Sequence, residues 1–269
     1  MKTLYVSDLD KTLLRNNQKT SEFTNSTINS LVEKGMLFSY ATARSYVTAH
    51  KATQGLNAQI PLIVYNGTFV IDNATGEILI SNYLDHADEL LSDVIDSGIY
   101  PIVYSYINGS EKFSYYAPKC SSPTIQFIKS RKNDIRENCV NSEEELYKGD
   151  IFYMTCIDDE YKLKELYEKY KEIYNCLFYK EPYSDEWWLE IMPKNSSKAN
   201  AIKQLKEYLE FDKVVAFGDG ENDIEMFEIA DECFAVENAV KSLKQIATGV
   251  IADNDNDAVA KWLLENSGF

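Results

Sequence analysis

Short apolar runs that each end abruptly in a polar residue constrain the fold of this chain more than any other feature. Four of these runs are typical of buried strands, and they cover residues 3–7, 36–41, 61–65 and 213–217. The polar residues that follow them are Asp8, Thr42, Asn66 and, after Gly218, Asp219. Helical patterns of apolar residues separate several of the runs. The alternation predicts an α/β fold with a parallel-sheet core and right-handed crossovers.

Residues 83–188 differ in composition from the rest of the chain. They hold 14 of the 19 tyrosines and mix strand-like with helix-like patterns. This change predicts an inserted α/β domain at 83–188, within a discontinuous core domain that comprises residues 1–82 and 189–269. A tyrosine-rich interior would give the same composition, so composition alone leaves that alternative open.

The charge and the cysteines indicate which partners and which compartment to expect. The chain of 269 residues has a formal net charge of −16, whereas nucleic acids and anionic membranes bind basic surfaces. We therefore expect neither nucleic acid nor membrane as a partner. Five widely spaced cysteines without a C-x-x-C pair favour free thiols in a reducing compartment, and no signal peptide is evident, which predicts a cytoplasmic protein. The sequence does not indicate the oligomeric state.

Carboxylates cluster at two of the predicted strand ends. Asp8 and Asp10 follow the first strand, while Asp219 and Asp223 follow the strand at 213–217. Ligands of open parallel sheets bind at the carboxyl ends of the strands, and like-charged carboxylates held together there need a cation between them. Oxygen ligands without histidine or thiolate suit Mg²⁺. The alternative is that Asp8 and Asp10 are turn or helix-capping residues, which the pair at Asp219 and Asp223 makes less favourable.

Four motifs together resemble those of the haloacid dehalogenase superfamily, over nearly the whole chain. They are Asp8-x-Asp10-x-Thr12, Thr42-Ala43-Arg44, Lys198 at a helix start, and Gly218-Asp219-Gly220-Glu221-Asn222-Asp223. Further phrases, at residues 64–67, 189–191 and 236–239, resemble the Cof-type sugar-phosphatase branch. The resemblance implies a Rossmann-like core and a large α/β cap in the position of the tyrosine-rich segment. Lys11 and Ala199 replace glycines that are usual in the superfamily, and neither change removes a chemical group.

The resemblance also implies a role for each motif residue. Asp8 would be the nucleophile that forms an aspartyl-phosphate, and Asp10 would be the general acid and base. Magnesium would be held by Asp8, by the backbone carbonyl of Asp10 and by Asp219. The residues implied for phosphate binding are Thr42, Lys198 and Asn222, and those implied for support are Thr12, Arg44, Asn66 and Asp223. Two interpretations stay open: Arg44 reaches either the substrate or a nearby carboxylate, and Asn66-Gly67 is either functional or only a turn.

The implied activity is hydrolysis of a small phosphorylated metabolite, with sugar phosphates as the default class. A phosphomutase that uses the same aspartyl-phosphate, and a non-catalytic phosphoacceptor or metabolite-binding module, are the alternatives. Specificity would come from the inserted domain, where the tyrosines at 104, 106, 115 and 116 are candidates either for stacking on substrate or for the domain's own core. One further motif, at residues 253–257, alternates aspartate with asparagine. It lacks the glycine and glutamate of an EF-hand loop, so we interpret it as a capped helix start.

Overall fold

The computed structural model describes residues 2–131, 133–180 and 186–269. The chain divides into two compact units, of which the first comprises Met1–Ser81 and Ser196–Phe269 and the second comprises Asn82–Asn195. Within the described ranges, no helix has both the length and the apolar character that crossing a bilayer demands.

The secondary structure alternates strands with helices in both units. The strands are β1 (Thr3–Asp8), β2 (Leu37–Ala41), β3 (Pro61–Val64), β4 (Phe69–Asp72), β5 (Ile78–Ser81), β6 (Ile102–Ile107), β7 (Ser110–Tyr115), β8 (Glu137–Cys139), β9 (Asp150–Asp158), β10 (Asn175–Lys180), β11 (Trp187–Met192), β12 (Lys213–Gly218), β13 (Glu232–Val236) and β14 (Gly249–Ile251). The helices are α1 (Glu22–Glu33), α2 (Tyr46–Ala52), α3 (Ala87–Asp96), α4 (Ser122–Ser130), α5 (Glu160–Tyr170), α6 (Lys198–Leu209), α7 (Ile224–Ile229), α8 (Lys241–Ile246) and α9 (Ala258–Asn266).

The first unit is built on a single sheet with the strand order β14-β13-β12-β1-β2-β3-β4-β5. The strands from β14 to β3 run parallel, and β4 and β5 add an antiparallel hairpin at one edge. In the register of this sheet, Ser7 pairs with Phe217 and Asp8 pairs with Ala41. The residues that follow β1, β2 and β12 therefore meet at one edge of the sheet, as the sequence predicted.

Helices cover both faces of this sheet because its central strands are apolar on both sides. Leu4 and Val6 point into a core shared with α6, α7 and α8. Tyr5 points to the opposite face, where its ring contacts Trp262 of α9, and α9 packs against α1. A strand buried on both faces reads as a continuous apolar run, which is why β1 was recognisable in the sequence.

The second unit has a sheet of its own with the order β10-β11-β9-β6-β7-β8. All its pairs are antiparallel except β7 with β8. Helices α3 and α5 supply apolar residues to its core, among them Leu91 and Leu163. The prediction of an α/β fold with an inserted α/β domain is confirmed.

The return from the inserted unit lies at residues 195 and 196, later than the predicted boundary between 188 and 189. Strand β11 pairs with β9 and β10, and its residues Leu189 and Ile191 are buried in the core of the second unit. The apolar run at 189–192 reads as a strand in either unit. The strands with which it pairs decide to which unit it belongs, and the sequence pattern does not show which strands these are.

Candidate active site

The carboxylates at the ends of β1 and β12 form a compact acidic cluster. Oxygen atoms of Asp8, Asp219 and Asp223 all lie within 4.8 Å of one another. Asp8 and Asp223 are buried, and Asp219 is half-buried. Because β1 and β12 are neighbours in the parallel sheet, their carboxyl ends bring Asp8 and Asp219 together although they are far apart in the sequence.

A buried lysine joins two of these carboxylates. The Nζ atom of Lys198, in the first turn of α6, donates to Oδ1 of Asp8 at 2.5 Å and to Oδ1 of Asp223 at 2.7 Å. The side chain of Lys198 is only 2% exposed, so its ammonium group has exchanged water for these two partners. The cost of burying a lysine beside a helix N-terminus is met by paired carboxylates.

The second oxygen of Asp223 is also fully engaged. It accepts hydrogen bonds from the backbone N–H groups of Asp219 and Gly220, at 3.0 and 3.1 Å. Gly218 makes this approach possible, since a β-carbon there would lie 2.6 Å from Oδ2 of Asp223. Asp223 therefore fixes both Lys198 and the loop that carries Asp219.

Burial and mutual repulsion disfavour the ionised forms of the clustered carboxylates. Burial raises the pKa of Asp8 to about 8, with Lys198 opposing the shift and Asp223 adding to it. Burial and the neighbouring Asp223 raise the pKa of Asp219 to about 6. The two carboxylates hold the pKa of Lys198 above its ordinary value against the effect of burial. Hard oxygen ligands whose ionised forms are disfavoured together are a donor set that fits a divalent cation such as Mg²⁺.

The carboxylate of Asp10 lies outside this buried group and forms an ion pair with Arg44. The guanidinium donates to it twice, from Nε at 2.8 Å and from Nη2 at 2.5 Å. Asp10 remains 48% exposed and Arg44 22% exposed. Of the two interpretations left open for Arg44, the structure shows the ion pair. The backbone N–H of Arg44 also donates to the hydroxyl oxygen of buried Thr42, at 3.1 Å.

The residues that follow β1 form a turn in which one residue has a left-handed backbone. Lys11 has a left-handed backbone with φ of 57°, which explains why glycine is usual at this position in the resembling family. Thr12 is buried and donates to Oδ1 of Asp219 at 3.4 Å. Asn222 is exposed on the loop after β12, beside Gly220. Asn222 is thus a neighbour of Asp223 in the sequence, and among the described residues its side chain has no hydrogen-bond partner.

Asn66-Gly67 lies against the start of α6 and is more than a surface turn. Asn66 donates its backbone N–H to the carbonyl of Thr42 at 2.9 Å. A β-carbon on Gly67 would lie 2.2 Å from the carbonyl oxygen of Ser197, the N-cap of α6. Sequence reasoning did not connect Gly67 with Ser197. The only signal for it was an Asn-Gly pair directly after a buried strand.

Comparison with known proteins places these features in a family. The family described as haloacid dehalogenase-like hydrolase matches residues 5–263 of the chain. The chain is 25% identical to the 5-amino-6-(5-phospho-D-ribitylamino)uracil phosphatase YitU of Bacillus subtilis, over 97% of this chain and 96% of that protein. It is 28% identical to YwtE of the same organism, a phosphatase with the same substrate in its name, over 95% of each chain. The crystal structure of TM0651 from Thermotoga maritima is 26% identical and superposes with a TM-score of 0.81, covering 100% of this chain and 99% of that one.

Proposed function

This chain belongs to the haloacid dehalogenase-like hydrolases and is a phosphatase, and we propose that it hydrolyses small phosphate monoesters by magnesium-dependent attack of Asp8. The observation that carries the proposal is the contact between Lys198 and Asp8. A buried carboxylate at a strand end, held by a buried ammonium and flanked by two further carboxylates, has no evident packing role. This arrangement is suited to binding a phosphate group.

The first step would be the transfer of the phosphoryl group to Asp8. A carboxylate oxygen of Asp8 attacks the phosphorus, and the bond from phosphorus to the ester oxygen breaks. Asp10 donates its proton to that leaving oxygen, which departs as the alcohol. In the second step a water molecule attacks the phosphorus, the bond to Asp8 breaks, and Asp10 takes the proton from the water. Inorganic phosphate leaves, Asp8 is again a carboxylate, and Asp10 is again the protonated acid with which the cycle began.

The residues around Asp8 would neutralise and orient the phosphate. A Mg²⁺ ion held by Asp8, Asp219 and the backbone carbonyl of Asp10 would offset the repulsion between the anionic nucleophile and the anionic substrate. Lys198 would balance charge on the transferring oxygens. The Thr42 hydroxyl accepts from Arg44, which leaves its own hydrogen for a phosphate oxygen. Asn222, exposed on the neighbouring loop, is the remaining candidate donor.

The substrate class is proposed from the relatives. YitU and YwtE carry in their names a substrate whose phosphate is on a ribityl chain. We therefore propose a small metabolite with its phosphate on a sugar or polyol chain, and we place specificity in the second unit.

The test is phosphate release from an aryl phosphate and from a panel of sugar and polyol phosphates. Wild type, Asp8→Asn and the control Asp96→Asn, an exposed aspartate of the second unit, are compared with Mg²⁺ and with a chelator. We expect metal-dependent turnover by wild type and by the control, and none by Asp8→Asn. A product isomer without free phosphate would instead identify a mutase, and no turnover of any ester would refute the proposal.

A further inference from the structure

The acidic and amide-rich segment at residues 253–257 does more than start helix α9. Its side chains, with that of Asn238 after β13, bind the stretch that follows Asp10. We propose that Asn238 and Asn254 are positioning residues that hold the loop carrying Asp10 in its working conformation. The inference rests on the proposed role of Asp10. It assigns a positioning role to two residues that lie outside the four motifs.

Two backbone carbonyls of the loop are held by amide side chains. The Nδ2 atom of Asn238 donates to the carbonyl oxygen of Lys11 at 2.8 Å. The Nδ2 atom of Asn254 donates to the carbonyl oxygen of Leu14 at 2.8 Å. The two amides are themselves connected, since the backbone N–H of Asn254 donates to Oδ1 of Asn238 at 3.0 Å. They form one unit, which we call the amide clamp.

The clamp binds the backbone at a residue with a left-handed conformation. Lys11, directly after Asp10, has a φ of 57°, a conformation that a residue with a β-carbon keeps only when its surroundings enforce it. The bond from Asn238 to the Lys11 carbonyl fixes the peptide plane that leaves this residue. At the other end of the loop, the N–H of Leu14 returns to the carbonyl of Leu9 at 2.8 Å. Hydrogen bonds therefore fix the backbone on both sides of Asp10, at the carbonyls of Leu9 and Lys11.

Neighbouring side chains of the same segment extend the attachment. Asp255 accepts from the backbone N–H of Asn16 at 2.8 Å and from its side-chain amide at 2.6 Å. Asp257 accepts from Nε of Arg15 at 2.9 Å and from the hydroxyl of Thr24 at 3.1 Å. These contacts bind the chain after the loop, whereas the clamp holds the carbonyls of Lys11 and Leu14. Of these contacts, those of the clamp are the ones that can control Asp10.

The test uses Asn238 because it is exposed and its substitution leaves the core intact. Asn238→Asp keeps the oxygen that accepts from Asn254 and loses the donor to Lys11, while Asn238→Ala loses both without adding charge. The matched controls are Asn266→Asp and Asn266→Ala, since Asn266 is also exposed and donates to a backbone carbonyl, that of Trp262, at 2.9 Å.

We expect both Asn238 variants to lower kcat about tenfold with KM nearly unchanged, because small displacements of a catalytic group cost rate more than binding. The loss in kcat/KM, which reports the first step, should be larger for an alkyl phosphate than for an aryl phosphate, since only the alkoxide needs the proton of Asp10. Equal losses in kcat/KM on both esters, or a lower melting temperature with unchanged kcat, would show a structural role only and overturn the proposal.

A second measurement separates this inference from the proposed function. Hydrogen exchange of the backbone at residues 9–14 is followed in metal-free protein, where no catalysis takes place. Faster exchange in the Asn238 variants, confined to this stretch and absent from the Asn266 controls, is the expected result. If wild type hydrolyses no ester, the proposed function fails while the exchange data still report on the clamp. Unchanged exchange in the Asn238 variants overturns the clamp in either case.

Discussion

A β-carbon on Gly67 would lie 2.2 Å from the carbonyl oxygen of Ser197, the residue directly before Lys198. Two segments that are distant in sequence therefore touch through their backbones at the point where the buried lysine enters the cluster. Gly67 has a φ of 93°, so both its conformation and the space around it require glycine. The relationship explains how a turn after β3 fixes the start of α6.

Gly67→Ala should reduce both stability and activity. The control is Gly109→Ala, in a second Asn-Gly pair with φ of 75° and nothing within 4 Å of the added carbon. Both variants carry the conformational cost of about 1–2 kcal/mol. Only Gly67→Ala must also displace Ser197, which adds roughly 1–3 kcal/mol and moves Lys198. Urea unfolding and kcat measure the two effects, and equal losses in both variants would contradict the contact.

Lys198→Met should lower kcat by about 10²- to 10³-fold, because it removes the ammonium group that we propose balances charge on the transferring phosphate. It should also destabilise the protein, since breaking a buried pair costs about 3–5 kcal/mol. Lys203→Met, an exposed lysine on the same helix, is the matched control. The measurements are steady-state hydrolysis and chemical denaturation. A wild-type kcat in Lys198→Met would show that Lys198 does not act on the phosphate group.

The sequence predicted those parts of the site that depend on strand ends. Asp8, Thr42 and Asp219 each follow an apolar run, and the topology of a parallel sheet places them at one edge. The buried state of Lys198 was not predictable in the same way. A lysine at a helix start is usually solvated, and only the position of α6 against Asp8 and Asp223 determines its burial.

The contacts that the sequence missed join residues that share no local pattern. Gly67 with Ser197, and Asn238 with Lys11, are pairs in which at least one partner is a backbone carbonyl. A carbonyl is present at every residue, so the sequence gives no sign of which one is used. The predicted boundary between residues 188 and 189 differs from the observed one at 195 and 196 for a related reason, since the pairing of β11 with β9 and β10 decides it.

Arg44→Met should reduce kcat about 10- to 100-fold by releasing the Asp10 carboxylate from its bidentate partner. Arg44→Lys should recover only part of the activity, because a lysine does not reproduce the two parallel hydrogen bonds of a guanidinium. Arg131→Met, in the second unit, serves as the control for loss of an arginine. Steady-state kinetics with saturating Mg²⁺ test the expectation. Full activity in Arg44→Met would show that the ion pair seen with Asp10 does not contribute to turnover.

Asp10→Asn should affect esters according to their leaving groups. A general acid contributes about 10²- to 10⁴-fold when the leaving oxygen needs a proton. An alkyl phosphate has such a leaving group, whereas a nitrophenolate departs without help. Because water attack on the shared aspartyl-phosphate also uses Asp10, kcat can fall for both esters. The measurement is therefore the ratio of kcat/KM for the two esters, which reports the first step, in Asp10→Asn compared with wild type. A uniform loss in kcat/KM on both would assign Asp10 to metal or substrate positioning and would contradict its role as the acid.

The raised pKa of Asp8 makes a prediction about stability without metal. Native Asp8 keeps its proton up to about pH 8, whereas an unfolded aspartate releases it near its ordinary value of 3.8. Between these values the native state binds more protons than the unfolded state. The free energy of unfolding therefore falls as pH rises, by at most about 1.4 kcal/mol per pH unit from this group. Asp219, with its pKa raised to about 6, contributes in the same direction over a shorter range.

Asp8→Asn removes the group that titrates and should therefore gain stability over wild type as pH rises from 5 to about 8 in the presence of a chelator. Adding Mg²⁺ should reverse the order at pH 8, because the ion stabilises the wild-type carboxylate and the asparagine is a weaker ligand. Thermal unfolding of both proteins across this range, with and without metal, is the measurement. Asp96→Asn, an exposed aspartate, should follow wild type throughout. A stability difference between Asp8→Asn and wild type that does not change with pH would mean that Asp8 is already ionised in the metal-free protein, held by Lys198 alone.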